Sequence, residues 1–173
     1  MLEQLRSLSD VKRQLLESNP ILEAFGNAQT VRNDNSSRFG KYMKLQFNFN
    51  GDVVGGNITN YLLEKSRIIG QAPGERSFHV AYQLLHGADE KERALYQLGA
   101  PESYRYLMNS NRTIPDVDDR EMFTGLKNSM SVVGFNHKLQ ADIFKLLSAI
   151  LMLGNVDFED QGSDQAALVN TDT

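Results

Sequence analysis

Between Tyr42 and Phe49 the chain alternates strictly. Met43, Leu45, Phe47 and Phe49 fall on one face of a strand, and Tyr42, Lys44, Gln46 and Asn48 on the other. Asn50-Gly51-Asp52 is a tight-turn signal, and Gly56 to Leu63 returns as a second strand with Ile58, Tyr61, Leu62 and Leu63 available for packing. The expectation is an antiparallel hairpin with Leu45 and Phe47 facing apolar cover, because a one-residue slip would turn that set outward. A lone two-stranded hairpin is marginal in water, so this pattern demands further strands or helices beside it.

Helices supply most of the remainder. Leu5, Leu8, Val11 and Leu15 recur at helical spacing opposite Arg6, Lys12, Arg13 and Glu17, which predicts a helix ending near Asn19. Pro20 suits the first position of a new helical turn, and Gly26 after Phe25 reads as a left-handed terminator. Residues 28 to 40 are polar and aperiodic and read as a loop, as does the stretch from Gln71 to Glu75 around Pro73-Gly74. Phe78, Ala81, Tyr82 and Leu85 form one helical stripe that stops at Gly87, and a short helix runs from Glu90 to Leu98. Asp118 and Glu121 cap a helix carrying Met122, Leu126, Met130 and Val133 as far as Gly134. Asn136 caps the last helix, whose Leu139, Ile143, Leu147, Ile150 and Leu151 face the core up to Gly154. Val156-Asp157-Phe158 reads as a short strand, and 159 to 173 as a polar, disordered tail. No repeat is present. The fold class is α/β, α-rich, and two strands with many helices make an odd closed domain.

Composition narrows the partners. With 40% apolar and 23% charged residues the 173-residue chain has ordinary globular usage. A net charge of −4, with Lys12-Arg13 as the one basic doublet, argues against a nucleic-acid footprint. Without cysteine there is neither disulfide nor thiolate metal site, which suits a reducing compartment. Ile150 to Leu153 is too short to span a bilayer, and Met1 to Arg6 lacks a signal-peptide pattern, so a soluble cytoplasmic protein is expected. The acceptor patterns at Asn35, Asn57 and Asn111 are taken as chance matches.

Chemistry concentrates in Asn33-Asp34-Asn35-Ser36-Ser37-Arg38-Phe39-Gly40-Lys41. Adjacent serines can offer one hydroxyl to a magnesium ion and the other to a terminal phosphate, while an asparagine and backbone N–H groups add donors. The same residue types also make a solvated turn. His79 and His86 lie on one predicted helix without a third ligand and read as structural rather than as a metal pair. Asp116, Asp118 and Asp119 lack the glycine and closing glutamate of a calcium loop and read as helix-capping residues. Met108, Met122, Met130 and Met152 are expected to fill core.

The order Asn33 to Lys41, with flanks Asn19-Pro20-Ile21-Leu22-Glu23-Ala24-Phe25-Gly26-Asn27-Ala28 and Leu62-Leu63-Glu64-Lys65-Ser66-Arg67, closely resembles switch I of the myosin motor domain. The resemblance extends from Val11 to Phe158. Its other landmarks are Gly74-Glu75-Arg76-Ser77-Phe78-His79 and Ile150 to Phe158, and Gly55 to Leu62 leans towards class I myosins. It implies an actin-based motor using Mg-ATP. Within it, Ser37 ligates magnesium, Ser36 contacts the γ-phosphate and the attacking water, Asn33 reaches phosphate oxygens and Asn35 shapes the loop. Arg38 forms a gating ion pair with a glutamate of switch II, and so is expected to have no partner in this chain. The resemblance also implies an internal fragment of a P-loop NTPase motor domain. Residues 1–70 would hold switch I and transducer strands, and 71–158 the upper-subdomain helices bordering the actin cleft. No Gly-x-x-x-x-Gly-Lys-Ser/Thr run occurs, nor an Asp-x-x-Gly-Phe-Glu switch II, nor a light-chain-binding helix. Turnover by the chain alone is therefore not expected. A truncated, non-catalytic helical interaction module is the alternative. A kinesin-like ATPase is weaker, since Phe39-Gly40-Lys41 departs from the kinesin continuation.

Overall fold

A computed structural model describes residues 2–110, 113–162 and 165–169, with side chains from Asp10 onward. The order is α1 (Leu2–Gly26), β1 (Asn27–Thr30), β2 (Asn33–Ser37), β3 (Gly40–Phe47), β4 (Val53–Tyr61), α2 (Ser66–Ile69), α3 (His79–Gly87), α4 (Glu90–Leu95), α5 (Asp119–Val133), α6 (His137–Leu153), β5 (Phe158–Gly162) and β6 (Gln165–Leu168). Two 3₁₀ turns, Pro101–Ser103 and Arg105–Leu107, lie between α4 and α5. Among the described residues the strands form three separate two-stranded antiparallel sheets, β1–β2, β3–β4 and β5–β6.

Helix α3 is the centre of the molecule, for every residue from Val80 to Leu85 is buried. One side packs with Ala24 of α1, Leu126 and Phe123 of α5, and Phe144 of α6. The other side meets Tyr104, Leu107 and Leu151. Phe123 and Phe144 pack with ring centroids 4.9 Å apart and planes tilted by 58°, a favourable aromatic arrangement. Capping follows the sequence closely. Asp118 accepts from the N–H groups of Arg120 and Glu121, Asn136 accepts from that of Leu139, and Gly134 closes α5 in the left-handed region.

Several expectations are corrected. Helix α1 does not stop at Asn19 but runs through Pro20 to Gly26. The proline forfeits one backbone bond, yet the following turn carries buried Ala24 into the core, which holds the helix together. Gly26 ends α1 without entering the left-handed region. Its role is steric, because the Phe39 ring occupies the space where a Cβ would sit. Residues 28 to 40 are not an aperiodic loop: β1 and β2 pair there. The pairing rests on polar bonds that hydrophobic period cannot reveal. Thr30 Oγ1 donates to the Asn33 carbonyl, accepts from the Asn33 N–H and lies 2.9 Å from Ser36 Oγ.

The β3–β4 hairpin forms antiparallel, from Gly40 opposite Tyr61 to Phe47 opposite Val53, with a bulge at Gln46/Phe47. Gly51 turns it with φ 79°. Its apolar face lacks the expected cover. Val11 and Leu15 of α1 face the hairpin around Gly55, Gly56 and Ile58, leaving Leu45 and especially Phe47 exposed. Met108 and Met122 are also exposed rather than core, as is Leu139 at the first turn of α6, whereas Met130 is buried. The expected disordered tail instead begins with β5–β6, while 163–164 and 170–173 lie outside the described residues.

Candidate functional site

Strand β2 presents a row of small polar side chains. Asn33, Asn35 and Ser37 are exposed and Ser36 is half-buried. The Ser37 hydroxyl donates to the Phe39 carbonyl at 3.2 Å, which leaves its oxygen lone pairs able to accept or ligate. Ser36 Oγ sits beside Thr30 and 3.3 Å from the Asn33 carbonyl, and the Asn33 amide oxygen accepts from the Asn35 N–H at 2.7 Å. One exposed hydroxyl oxygen is the kind of single hard protein ligand that magnesium accepts alongside water and phosphate. The Ser37 oxygen is chemically suited to such a ligand position.

Asn35 is the junction of this strand with its surroundings. Its amide nitrogen donates to Glu23 of α1 at 3.1 Å, and its amide oxygen accepts from Asn27 of β1 at 3.0 Å. His79 Nε2 lies 3.1 Å from the same oxygen. Burial, reinforced by the charge of Arg76, lowers the His79 pKa to about 4 and keeps the ring neutral. Beside this junction is a cavity of about 370 Å³ between β2, α1, α3 and the start of α5, lined in part by Glu23, Asp34, His79, Gln83 and Asp119.

Arg38 does have a partner here, contrary to expectation. Its Nε donates to Glu64 Oε2 at 2.7 Å, because the β3–β4 hairpin returns the chain to the start of β3. The backbone completes the closure: Glu64 N–H donates to the Arg38 carbonyl at 3.0 Å, and Arg38 N–H to the Gly26 carbonyl at 2.8 Å. Glu64 also accepts from Arg67 Nε at 2.7 Å, and Arg67 Nη1 donates to Glu75 at 2.9 Å. Arg38 first, and then Arg67 against the opposing pull of burial, hold the Glu64 carboxyl down at about 2.

A second ionic group begins at the very next residue. Arg76, fully buried, donates through Nη2 to Asp119 at 2.7 Å and lies 3.7 Å over the Tyr82 ring. His86 Nδ1 is 3.4 Å from the same Asp119 carboxylate. Burial opposes the charge on Asp119, but His86 and Arg76 outweigh it and hold its pKa below the ordinary value. His79 and His86 thus serve different partners, Asn35 and Asp119. Of the aspartates read as capping residues, Asp118 caps α5, Asp119 pairs with Arg76, and Asp116 stands exposed with φ 60°.

All five residues read from the run, Asn33, Asn35, Ser36, Ser37 and Arg38, therefore lie on or just after one strand. Glu23, Glu64, His79 and Arg76 were missed as site residues. Glu64 and Glu23 stood inside flanking runs, but nothing in sequence spacing tells which side chain a returning hairpin or a passing helix delivers.

The comparisons with known proteins agree with one another. The family model described as "Myosin head (motor domain)" matches residues 3–173. The Myosin IA heavy chain of Dictyostelium discoideum is 54% identical over 164 residues, covering 92% of this chain and 16% of the relative. The Myosin ID heavy chain of the same organism is 51% identical, covering 93% and 15%. Myosin-1 of Aspergillus clavatus is 47% identical, covering 95% and 13%. The class I lean read from Gly55 to Leu62 is supported by these names, and the chain spans about 16% or less of the length of these relatives.

Proposed function

Since the chain belongs to the myosin head (motor domain) family, we propose that it supplies switch I to an actin-based, ATP-driven motor of the class I kind. Residues 1–70 carry the switch and transducer strands, and 71–158 the upper-subdomain helices beside the actin cleft. Cytoplasmic actin filaments are then the track. Light chains bind elsewhere. Among the described residues no helix is long and apolar enough to cross a membrane.

Bound magnesium and nucleotide supply charge neutralisation at the phosphates and the bond to be hydrolysed. The chain's own residues hold and orient. Ser37 would offer its oxygen to the ion, Ser36 would contact the terminal phosphate and the attacking water, and Asn33 would reach phosphate oxygens. Asn35 keeps the strand in shape. Arg38 contributes the gating pair. Glu64 occupies its Nε, while Nη1 and Nη2 have no partner among the described residues and remain available to a switch II glutamate. The observation that supports this reading is the exposure of Asn33, Asn35 and Ser37 along β2, with the Ser37 oxygen still able to accept.

The direct test places this chain in the Myosin IA heavy chain of Dictyostelium discoideum, in place of the segment it matches. Actin-activated Mg-ATP turnover by the chimera is expected, with a loss of about 10²-fold or more in Ser37→Ala, the scale of removing one transition-state electrostatic contact. Undiminished turnover in Ser37→Ala would refute the assignment. Acting alone, the chain contains no P-loop run to cradle phosphate, and the non-catalytic interaction module is then the fitting description. Turnover by the isolated chain is expected at the buffer level.

A further inference from the structure

Resting on the reading of β2 as the phosphate-facing strand, we propose that His79 is a positioning residue for it, donating through Nε2 to the Asn35 amide oxygen and tying the strand to α3. The hydrogen-bond directions follow from chemistry. A carboxylate only accepts, so the Asn35 amide nitrogen must face Glu23 and its oxygen must face Asn27 and His79. Both groups facing that oxygen must then donate. His79 therefore carries its proton on Nε2.

The charged and titratable groups facing His79 come from several elements: Arg76 just before α3, Glu23 of α1, Asp34 of β2 and Asp119 of α5. Burial and Arg76 outweigh the three carboxylates, so the ring remains a neutral, single-tautomer donor. No other hydrogen bond among the described residues joins a β2 side chain to any element after β4. Glu23 and Asn27 belong to the chain immediately preceding β2, whereas His79 belongs to the most buried helix of the fold. Backbone bonds already join β1, the partner of β2, to the start of α3, through the Arg76 N–H to the Gln29 carbonyl at 3.1 Å and the Ala28–Phe78 bridge. The His79 bond adds the side-chain tie that carries a displacement of α3 against α5 directly to the strand that bears Ser36 and Ser37.

The test uses the chimeric motor, four single variants and one double: His79→Leu removes the donor, His79→Gln restores an amide N–H, Asn35→Ala removes the acceptor, and Ser37→Ala tests the strand's own role. Without nucleotide, His79→Leu is expected to raise hydrogen–deuterium exchange in residues 33–37 about tenfold, the scale of one hydrogen bond, with α5 unchanged. Single-turnover hydrolysis should slow by a similar factor while the ATP-binding rate stays within about twofold. His79→Gln should recover most of both. The His79→Leu/Asn35→Ala double variant should be no worse than the poorer single, as expected if the two act through one contact. Unchanged exchange at 33–37 in His79→Leu, equal exchange increases in α5, or additive losses in the double variant would each overturn the proposal. Normal hydrolysis in Ser37→Ala would overturn the phosphate-facing reading instead, and the exchange data would still decide whether His79 positions β2.

Discussion

Glu64 holds two arginines with one carboxylate, and the consequence is a defined acid limb. Its pKa is about 2 in the folded chain against an ordinary 4.5. The unfolded chain therefore binds the extra proton between those values. The stabilisation is complete above about 4.5 and is lost as pH falls towards 2. Glu64→Gln in the chimera should flatten the fall in melting temperature across that window. The side chain is about one-third exposed, so solvent screening keeps the effect modest. His79 acts higher on the scale. With its pKa depressed from 6.5 to about 4, the neutral ring favours the fold fully above 6.5, and that contribution is lost as pH falls from 6.5 to 4. His79→Gln should remove this upper limb and leave the Glu64 limb in place. An unchanged melting profile between pH 6.5 and 4 would contradict the half-buried, neutral imidazole.

The contact between α3 and α5 leaves no room for growth at Gly87, because a Cβ there would run into the Cβ and ring of Phe123. Gly87→Ala should cost about 1–3 kcal/mol through overpacking, read as a drop of several degrees in melting temperature. Asp118→Ala, which removes the cap of α5, should cost about 1 kcal/mol. At this scale the sequence was most legible, since caps and apolar stripes are local signals. Asp118, Asn136, Gly134 and the α3 stripe were all readable. The β1–β2 hairpin was not, because Thr30, Asn33 and Ser36 hold it by side-chain bonds without hydrophobic alternation. Pro20 misled for a related reason: local propensity argues for a break, and packing of Ala24 decides otherwise. The serines of the site were visible as residue types. Their supports, Glu64 and His79, depended on long-range return of the chain.

Across the whole molecule, a good helical core carries a poorly protected sheet. Phe47, Phe49, Tyr61 and Leu62 are exposed around β3 and β4, and a two-stranded ribbon offers two unpaired edges. The isolated chain should self-associate with rising concentration in sedimentation experiments and bind a hydrophobic dye. The chimera, in which the rest of the motor surrounds this segment, should do neither. Phe47→Lys with Leu62→Lys should reduce assembly of the isolated chain. A strictly monomeric isolated chain would count against this account. Glu75 and Arg76 carry a different whole-molecule consequence. These neighbours feed separate ionic groups, one running through Arg67 and Glu64 to Arg38, the other through Asp119 to His86. The Glu75–Arg76 peptide link is thus a pivot shared by two linkages, and Arg67 Nη1 spans it by donating to the Arg76 carbonyl at 3.1 Å. Neither can shift along the chain without dragging the other, so one residue inserted between Glu75 and Arg76 would throw both out of register at once.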